Sequence, residues 1–310
     1  MLIFLVALDK KKIMKLKVGY FADGPWSHLA FEKLIQDETI SIQFIVPRSD
    51  TNDQSLKDFS ERYGIDYLYP VNINTTEFIQ TVKKYDSDLF VSMSFNQIFR
   101  LEILGLPKLG VINCHAGKLP FYRGRNILNW AIINDEKEFG ITVHYVDEGI
   151  DTGDIIKQKC YPINDNDGYN SLLEIAYIEC ASILYDSIKE IQLGVSKRIK
   201  QDSVDSVGFY CGRRGIGDEI INWNQPSRRI FNFIRSISKP GPMATTFMKG
   251  NEVKINKSKI IIGASNYIGS VGQLLTKTAD GFLVKTEDSF VEIFEIESEV
   301  KLRVGDKLGQ

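Results

Sequence analysis

The chain has 310 residues, 43% of them hydrophobic and 25% charged, with a formal net charge of -2. Those numbers describe a globular protein with a sizeable core, long enough for two domains, and they exclude a global basic field that would draw it to nucleic acid or anionic membranes. Four widely spaced cysteines, Cys114, Cys160, Cys180 and Cys211, form no C-x-x-C pair, so neither a zinc site nor a disulfide framework is indicated and a reducing, cytoplasmic setting fits.

The opening run "MLIFLVALDKKK" carries its charge on the wrong side for a signal peptide, lacks a cleavage site and is too short to cross a bilayer. Residues 1–13 are therefore expected to be a disordered extension ahead of Met14. From Lys15 onward, β-like apolar runs alternate with helix-like segments: "KVGYFA", "ISIQFIV", "IDYLYPV", "SDLFVSMSF" and "GVINCH" read as strands. "SHLAFEKLIQ", "SLKDFSERYG" closed by Gly64, "TTEFIQTVKKYD" and "NILNWAIIN" read as the helices between them. The pattern predicts a Rossmann-like α/β domain with a mostly parallel sheet over residues 14–205. Two further strands, "GITVHYV" and "DIIKQKCYPI", precede a long amphipathic helix over 169–194, whose apolar positions Leu173, Ala176, Cys180, Leu184, Ile188 and Ile191 recur every three or four residues. "GVSKRIKQDSVDSVG" reads as a linker. Beyond it one helix, "PSRRIFNFIRSI", precedes the short strand-like runs "VKINKSKIIIG", "GQLLTKTAD", "GFLVKTED" and "FVEIFEIES". Residues 206–310 are thus expected to form a small C-terminal β-rich domain, barrel-like and similar to an OB-fold.

An α/β chain invites a nucleotide-cofactor reading at its first strand-to-helix turn. Here that turn is "YFADGPWSH", with one glycine, no G-x-G-x-x-G and no Walker sequence anywhere, so neither a dinucleotide dehydrogenase nor a P-loop enzyme fits. The stretch "NCHAGKLPFYRGRNILNW" is more informative. Asn113 and His115, two apart at the end of a strand, point to one face, where ligands bind in such sheets. The alternative is that His115 binds a loop carbonyl and Asn113 satisfies a turn. "DEGIDTGD", residues 147–154, sets four carboxylates among glycines. It lacks the EF-hand pattern, so it reads as a flexible loop with one working carboxylate, Asp151, which could orient an imidazole and stabilise its protonated form. His144, mid-strand in "ITVHYV", and His28, at a helix start, read as structural. Lys118, Arg123 and Arg125 are either a solvated surface or, placed between a strand and a helix start, a pocket for a pyrophosphate.

Taken together, "NCHAGKLPFYRGRNILNWAI" and "GITVHYVDEGIDTGDII" resemble the catalytic signature of the formyltransferases that use 10-formyltetrahydrofolate, and "IINWNQPSRRIFNFIRSISKPGPMATTF" resembles the opening of that family's C-terminal domain. The resemblance implies a catalytic set of Asn113, His115 and Asp151. It implies folate contacts along "VSMSFNQIF" through Met93, Ser94, Phe95, Asn96 and Ile98, and in the later loop through Asp147 and Gly149. No metal is implied. Two subclasses matter, one formylating initiator methionyl-tRNA and the other an amino sugar on a nucleotide diphosphate. "YRGRNILNW", with Arg125 after "RG", is similar to the sugar class, as are "YFADGPWSH" and "CGRRG". After the second strand, "PRSDTNDQSLKDF" lacks the basic loop with which the tRNA enzymes hold the acceptor stem. The resemblance therefore implies a nucleotide-sugar substrate, probed by Trp26, Lys118, Tyr122, Arg123 and Arg125, with no nucleic-acid or membrane partner, and a homodimer.

Overall fold

The computed structural model describes residues 15–309; the expected extension over 1–13 lies outside the described residues. In chain order the first half runs β1 (Leu16–Ala22), α1 (Gly24–Ile35), β2 (Ile40–Pro47), α2 (Gln54–Tyr63), β3 (Asp66–Tyr67), α3 (Thr76–Lys83), β4 (Leu89–Met93), α4 (Leu101–Leu104) and β5 (Val111–His115). There follow β6 (Arg123–Gly124), α5 (Ile127–Ile133), β7 (Glu138–Tyr145), β8 (Ile155–Pro162), α6 (Tyr169–Gln192), α7 (Gln201–Val204) and β9 (Tyr210–Cys211). The last part comprises α8 (Ser227–Ser236), β10 (Ala244–Met248), β11 (Asn251–Ile260), β12 (Leu274–Lys277), β13 (Gly281–Lys285) and β14 (Phe290–Ser298).

The described chain divides into two compact units that interleave in sequence. One is built from the chain up to His115 with Val143–Lys157 and Cys180–Ile199, the other from Ala116–Thr142, Gln158–Glu179 and the chain from Lys200 onward. Seven strands form one sheet in the order β3-β2-β1-β4-β5-β7-β8. β1 runs parallel to both β2 and β4, and β4 parallel to β5. The expected Rossmann-like reading holds in this order, because the chain starts in the middle of the sheet and builds outward on both sides.

Local chemistry explains the elements of the first unit. Asp53 caps α2 by accepting the Leu56 amide, and Gly64 ends it at φ 65°, a conformation glycine adopts without steric cost. Thr75 caps α3 through the Phe78 amide. On β1, a side chain at Gly19 would bring a Cβ within 2.4 Å of the Phe44 ring, so its absence lets Phe44 and Phe90 approach across the strand. Phe21, Phe44, Phe90 and Phe99 then meet edge-on or tilted at 5.0 to 5.7 Å, each fully or nearly fully buried. Burial of each such side chain contributes about 1.5–3 kcal/mol, which makes the ends of β1 and β4 a rigid base.

Three expectations change in detail. The run "IDYLYPV" contributes only Asp66–Tyr67, paired with Phe44 and Ile45, and Pro70 cannot donate to a ladder. The expected linker is tied down, since Ile199 and Ile155 exchange both backbone hydrogen bonds and α7 follows at once. β10, unforeseen behind "KPGPM", pairs antiparallel with β11. The long helix keeps its predicted face: Leu173, Ala176, Cys180, Leu184, Ile188 and Ile191 are all buried.

The C-terminal sheet has the order β10-β11-β14-β13-β12, and every pair is antiparallel. Ile230, Phe231 and Ile234 of α8 share one core with Val253, Ile255, Val291 and Ile293, and the Trp223 indole donates to Thr246 Oγ1 at 2.9 Å. The expected small β-rich domain is therefore an antiparallel sheet packed against one amphipathic helix.

Candidate active site

Asn113 and His115 stand at the carboxyl end of β5, where Ser92↔Asn113 and Met93↔Cys114 register β5 against β4. The strand period of two turns both side chains to one face. Asp151 arrives from the loop between β7 and β8. That loop is closed at its base by the Tyr145 amide donating to the Asp154 carbonyl at 2.9 Å. Within it the Thr152 hydroxyl and the Gly149 amide donate to Asp147 Oδ1 at 2.5 and 3.1 Å. A Cβ at Gly153 would fall 1.9 Å from the Tyr145 carbonyl oxygen, so only glycine lets the loop fold back this tightly. Asp151 itself sits at φ 55°, a left-handed conformation that Asp adopts more readily than most residues other than glycine.

The three residues come together. Asp151 Oδ2 lies 3.6 Å from His115 Nδ1, and Asp151 Oδ1 lies 3.4 Å from Asn113 Nδ2. A fourth residue joins them that the sequence reading assigned to structure. His144 Nε2 is 3.2 Å from Asn113 Nδ2 and 3.4 Å from Asp151 Oδ1, and its ring centroid is 6.5 Å from that of His115. β7 lies beside β5 in the sheet, a non-local pairing, so His144 reaches Asn113 across the sheet. The alternation of Thr142 and His144 on one face was the available signal; nothing local said which strand that face met. Asp151 is 12% exposed at its side chain and His115 and His144 are buried, so this charge–dipole cluster acts at reduced dielectric.

The expected folate segment follows β4. The Met93 side chain is buried and its carbonyl accepts the Asp23 amide at 3.2 Å. Ser94 has φ 57° and is exposed, Phe95 packs on Phe21 and Phe99, and Ile98 is 55% exposed. Asn96 Nδ2 donates to Asp50 at 3.2 Å, while Asn96 Oδ1 and the neighbouring Gln97 Nε2 are buried without a hydrogen-bond partner among the described residues. Asp147 and Gly149 lie in the exposed loop already described.

Trp26 sits half-buried in the first turn of α1. Close by in the same unit, His28 Nε2 contacts both oxygens of Asp53 at 2.8 and 2.9 Å. Asp53 stays below the usual carboxylate range: its burial alone would raise it, but bonds from the Leu56 amide, His28 and the Gly24 amide outweigh that. Asp23 goes the other way, pushed up by burial despite Thr51 and Arg48.

The remaining expected substrate residues belong to the second unit. Lys118 Nζ is paired with Glu138 Oε1 at 2.5 Å, and that bond raises the lysine above its ordinary range. The Tyr122 hydroxyl donates to Glu136 at 2.6 Å and its buried ring lies 5.0 Å from Phe209. Arg123 donates twice to Gln201 Oε1, at 3.1 and 2.7 Å, with its guanidinium over Tyr210. Arg125 differs. Its backbone is fixed by the amide donating to the Cys211 carbonyl at 3.1 Å, yet its side chain is exposed and carries no ion pair among the described residues. The pairing of β6 with β9 that holds it was not legible in the sequence.

Residues 36–177 match the model of the formyl transferase family, and residues 217–305 match that of the formyl transferase C-terminal domain. A methionyl-tRNA formyltransferase of Syntrophomonas wolfei is 35% identical over 250 residues, spanning 80% of this chain and 78% of the relative. This chain belongs to the formyltransferase family. A second methionyl-tRNA formyltransferase, from Halothermothrix orenii, aligns with this formyltransferase over 90% of its length and 95% of the relative's at 32% identity. Among solved structures, WlaRD, a sugar 3N-formyltransferase determined in the presence of dTDP and 5-N-formyl-THF, superposes with a TM-score of 0.69 at 24% identity, covering 93% of this chain and 99% of that one. An N-formyltransferase of Helicobacter canadensis in complex with folinic acid and dTDP-3-aminofucose gives the same TM-score and identity over 92% and 100%. At these identities the likeness shows the formyltransferase fold.

Proposed function

We propose that this formyltransferase moves the formyl group of 10-formyltetrahydrofolate onto the amine of a nucleotide-linked amino-dideoxy sugar, dTDP-linked, for surface polysaccharide biosynthesis. Formyl transfer asks for a donor to the carbonyl oxygen as negative charge builds there, and for a base to take the proton of the attacking amine. Asn113 supplies the first through its amide N–H, a contact worth about 3 kcal/mol in other enzymes. His115 supplies the second, with Asp151 holding its other nitrogen, a contribution of about 10²–10⁴-fold. A bond forms from the amine nitrogen to the formyl carbon and the bond from that carbon to the folate nitrogen breaks; the proton taken by His115 is returned to the leaving nitrogen. The donor suits the segment after β4, where Asn96 Oδ1 and Gln97 Nε2 are buried without hydrogen-bond partners among the described residues and match a heterocycle rich in donors and acceptors.

The observation that carries the acceptor choice is the distribution of charge. The segment after β2, where a tRNA-binding enzyme needs cations, holds Asp50 and Asp53, and its one arginine, Arg48, is bound to Asp50 at 2.7 Å. Arg125, in contrast, offers an exposed guanidinium suited to a diphosphate. A second reading, formylation of initiator methionyl-tRNA, is favoured by the names of the 32–35% identical relatives. The test is a panel: purified protein with 10-formyltetrahydrofolate and dTDP-, UDP- and GDP-linked amino sugars or charged initiator tRNA, read by mass spectrometry. Formylation of a sugar nucleotide supports the first reading, and formylation of tRNA alone overturns it.

A further inference from the structure

His144 is 2% exposed, and its Nδ1 lies 2.7 Å from the carbonyl oxygen of Tyr145. A carbonyl only accepts, so Nδ1 must carry the ring hydrogen, and Nε2 of the neutral ring must be an acceptor. The group that Nε2 meets is Asn113 Nδ2, at 3.2 Å. An acceptor there obliges the Asn113 carboxamide to present its NH₂ rather than its C=O to the Asp151 side of the cluster. We infer that His144 is a positioning residue for formyl transfer, setting the orientation of the Asn113 carboxamide through a tautomer that the Tyr145 carbonyl fixes.

The consequence concerns the sign of an interaction. One Asn113 N–H is anchored on His144, which fixes the plane of the amide; Asp151 Oδ1 lies a long 3.4 Å from the same nitrogen, and the other N–H is the one available to a developing oxyanion. Turned over, the same carboxamide would aim a carbonyl oxygen at that charge and repel it. Asp151 Oδ1, also an acceptor, favours the same orientation through a longer contact, while its other oxygen lies 3.6 Å from His115.

The inference rests on the formyl-transfer chemistry proposed above, and not on which amine is the acceptor. Turnover is followed with dTDP-3-aminofucose or with charged initiator tRNA, whichever the wild-type protein formylates. His144→Leu keeps bulk and removes the acceptor. His144→Gln can place Oε1 where Nε2 stands. Leu should lower kcat about 10- to 100-fold with both KM values nearly unchanged, as loss of an oriented oxyanion donor does, and Gln should recover most of that loss. In an Asn113→Ala background His144→Leu should cost nothing further, because its effect passes through Asn113. Independently of any acceptor, and of whether the variants fold, the spectrum of the wild-type protein labelled with ¹⁵N-histidine should show His144 as the Nδ1–H tautomer. An Nε2–H tautomer, wild-type turnover in the Leu variant, no recovery with Gln, or an equal loss in both backgrounds would each overturn the inference.

Discussion

Asp151 Oδ2 and His115 Nδ1 stand 3.6 Å apart, an electrostatic contact slightly longer than a hydrogen bond. Contacts of this kind tighten when substrate closes the site. Asp151→Asn keeps the shape and removes the charge, so turnover should fall by about 10²-fold or more, as should that of Asn113→Ala and His115→Ala, while thermal unfolding stays close to wild type. Steady-state rates within a few-fold of wild type would sink the assignment of base and oxyanion donor.

The position of Asp151 depends on Gly153. A methyl group there would meet the Tyr145 carbonyl oxygen at 1.9 Å, and the backbone of the β7–β8 loop must move to relieve it. Gly153→Ala should therefore lower kcat about tenfold or more, since small displacements of a catalytic group are costly. The far-ultraviolet circular dichroism should be unchanged. Full activity in this variant would mean that the loop tolerates relocation.

Arg125 tests the acceptor. If its guanidinium grips a diphosphate, Arg125→Ala raises the KM for the sugar nucleotide about tenfold and leaves the KM for 10-formyltetrahydrofolate alone, the cost expected for one charge-assisted contact. An unchanged KM for the sugar nucleotide would remove Arg125 from the site.

Asp37 offers a pH test of the first unit. Burial alone would raise its pKa, but the Thr39 amide and hydroxyl, Lys189 and Tyr185 donate to it at 2.6 to 2.9 Å and hold it well below the ordinary carboxylate range. A carboxyl depressed by folding stabilises the protein above its unfolded value of about 3.9 and gives that up as pH falls through the lower, folded value. Lys189→Met should cost about 1–2 kcal/mol at pH 7 and make urea stability less dependent on pH below 4. An equally steep acid limb in variant and wild type would show that Asp37 draws little from Lys189.

Much of this was legible in the sequence, for identifiable reasons. Strands β1, β2, β4 and β5 and the face of α6 follow from apolar periodicity, and the end of α2 from Gly64, because those signals are local. Asn113 and His115 announce themselves by a spacing of two at a strand end. What escaped was non-local. The two-residue ladder of β6 and β9, the Ile155–Ile199 bridge and the approach of His144 to Asn113 all join segments far apart in sequence. Lys118 and Arg123 illustrate the same limit from the other side, since the sequence counts them as cations but their partners, Glu138 and Gln201, appear only in the fold.

The proposed acceptor of this formyltransferase is a nucleotide-linked amino sugar in preference to charged tRNA. The most direct measurement is a competition in one reaction, with 10-formyltetrahydrofolate, a dTDP-linked amino sugar and charged initiator methionyl-tRNA present together and both products quantified by mass spectrometry. Formylation of the sugar nucleotide is expected with a kcat/KM at least about 10²-fold above that for tRNA, the discrimination open to a site that leaves polar groups unpaired with the wrong partner. Formyl-methionyl-tRNA as the dominant product would contradict it.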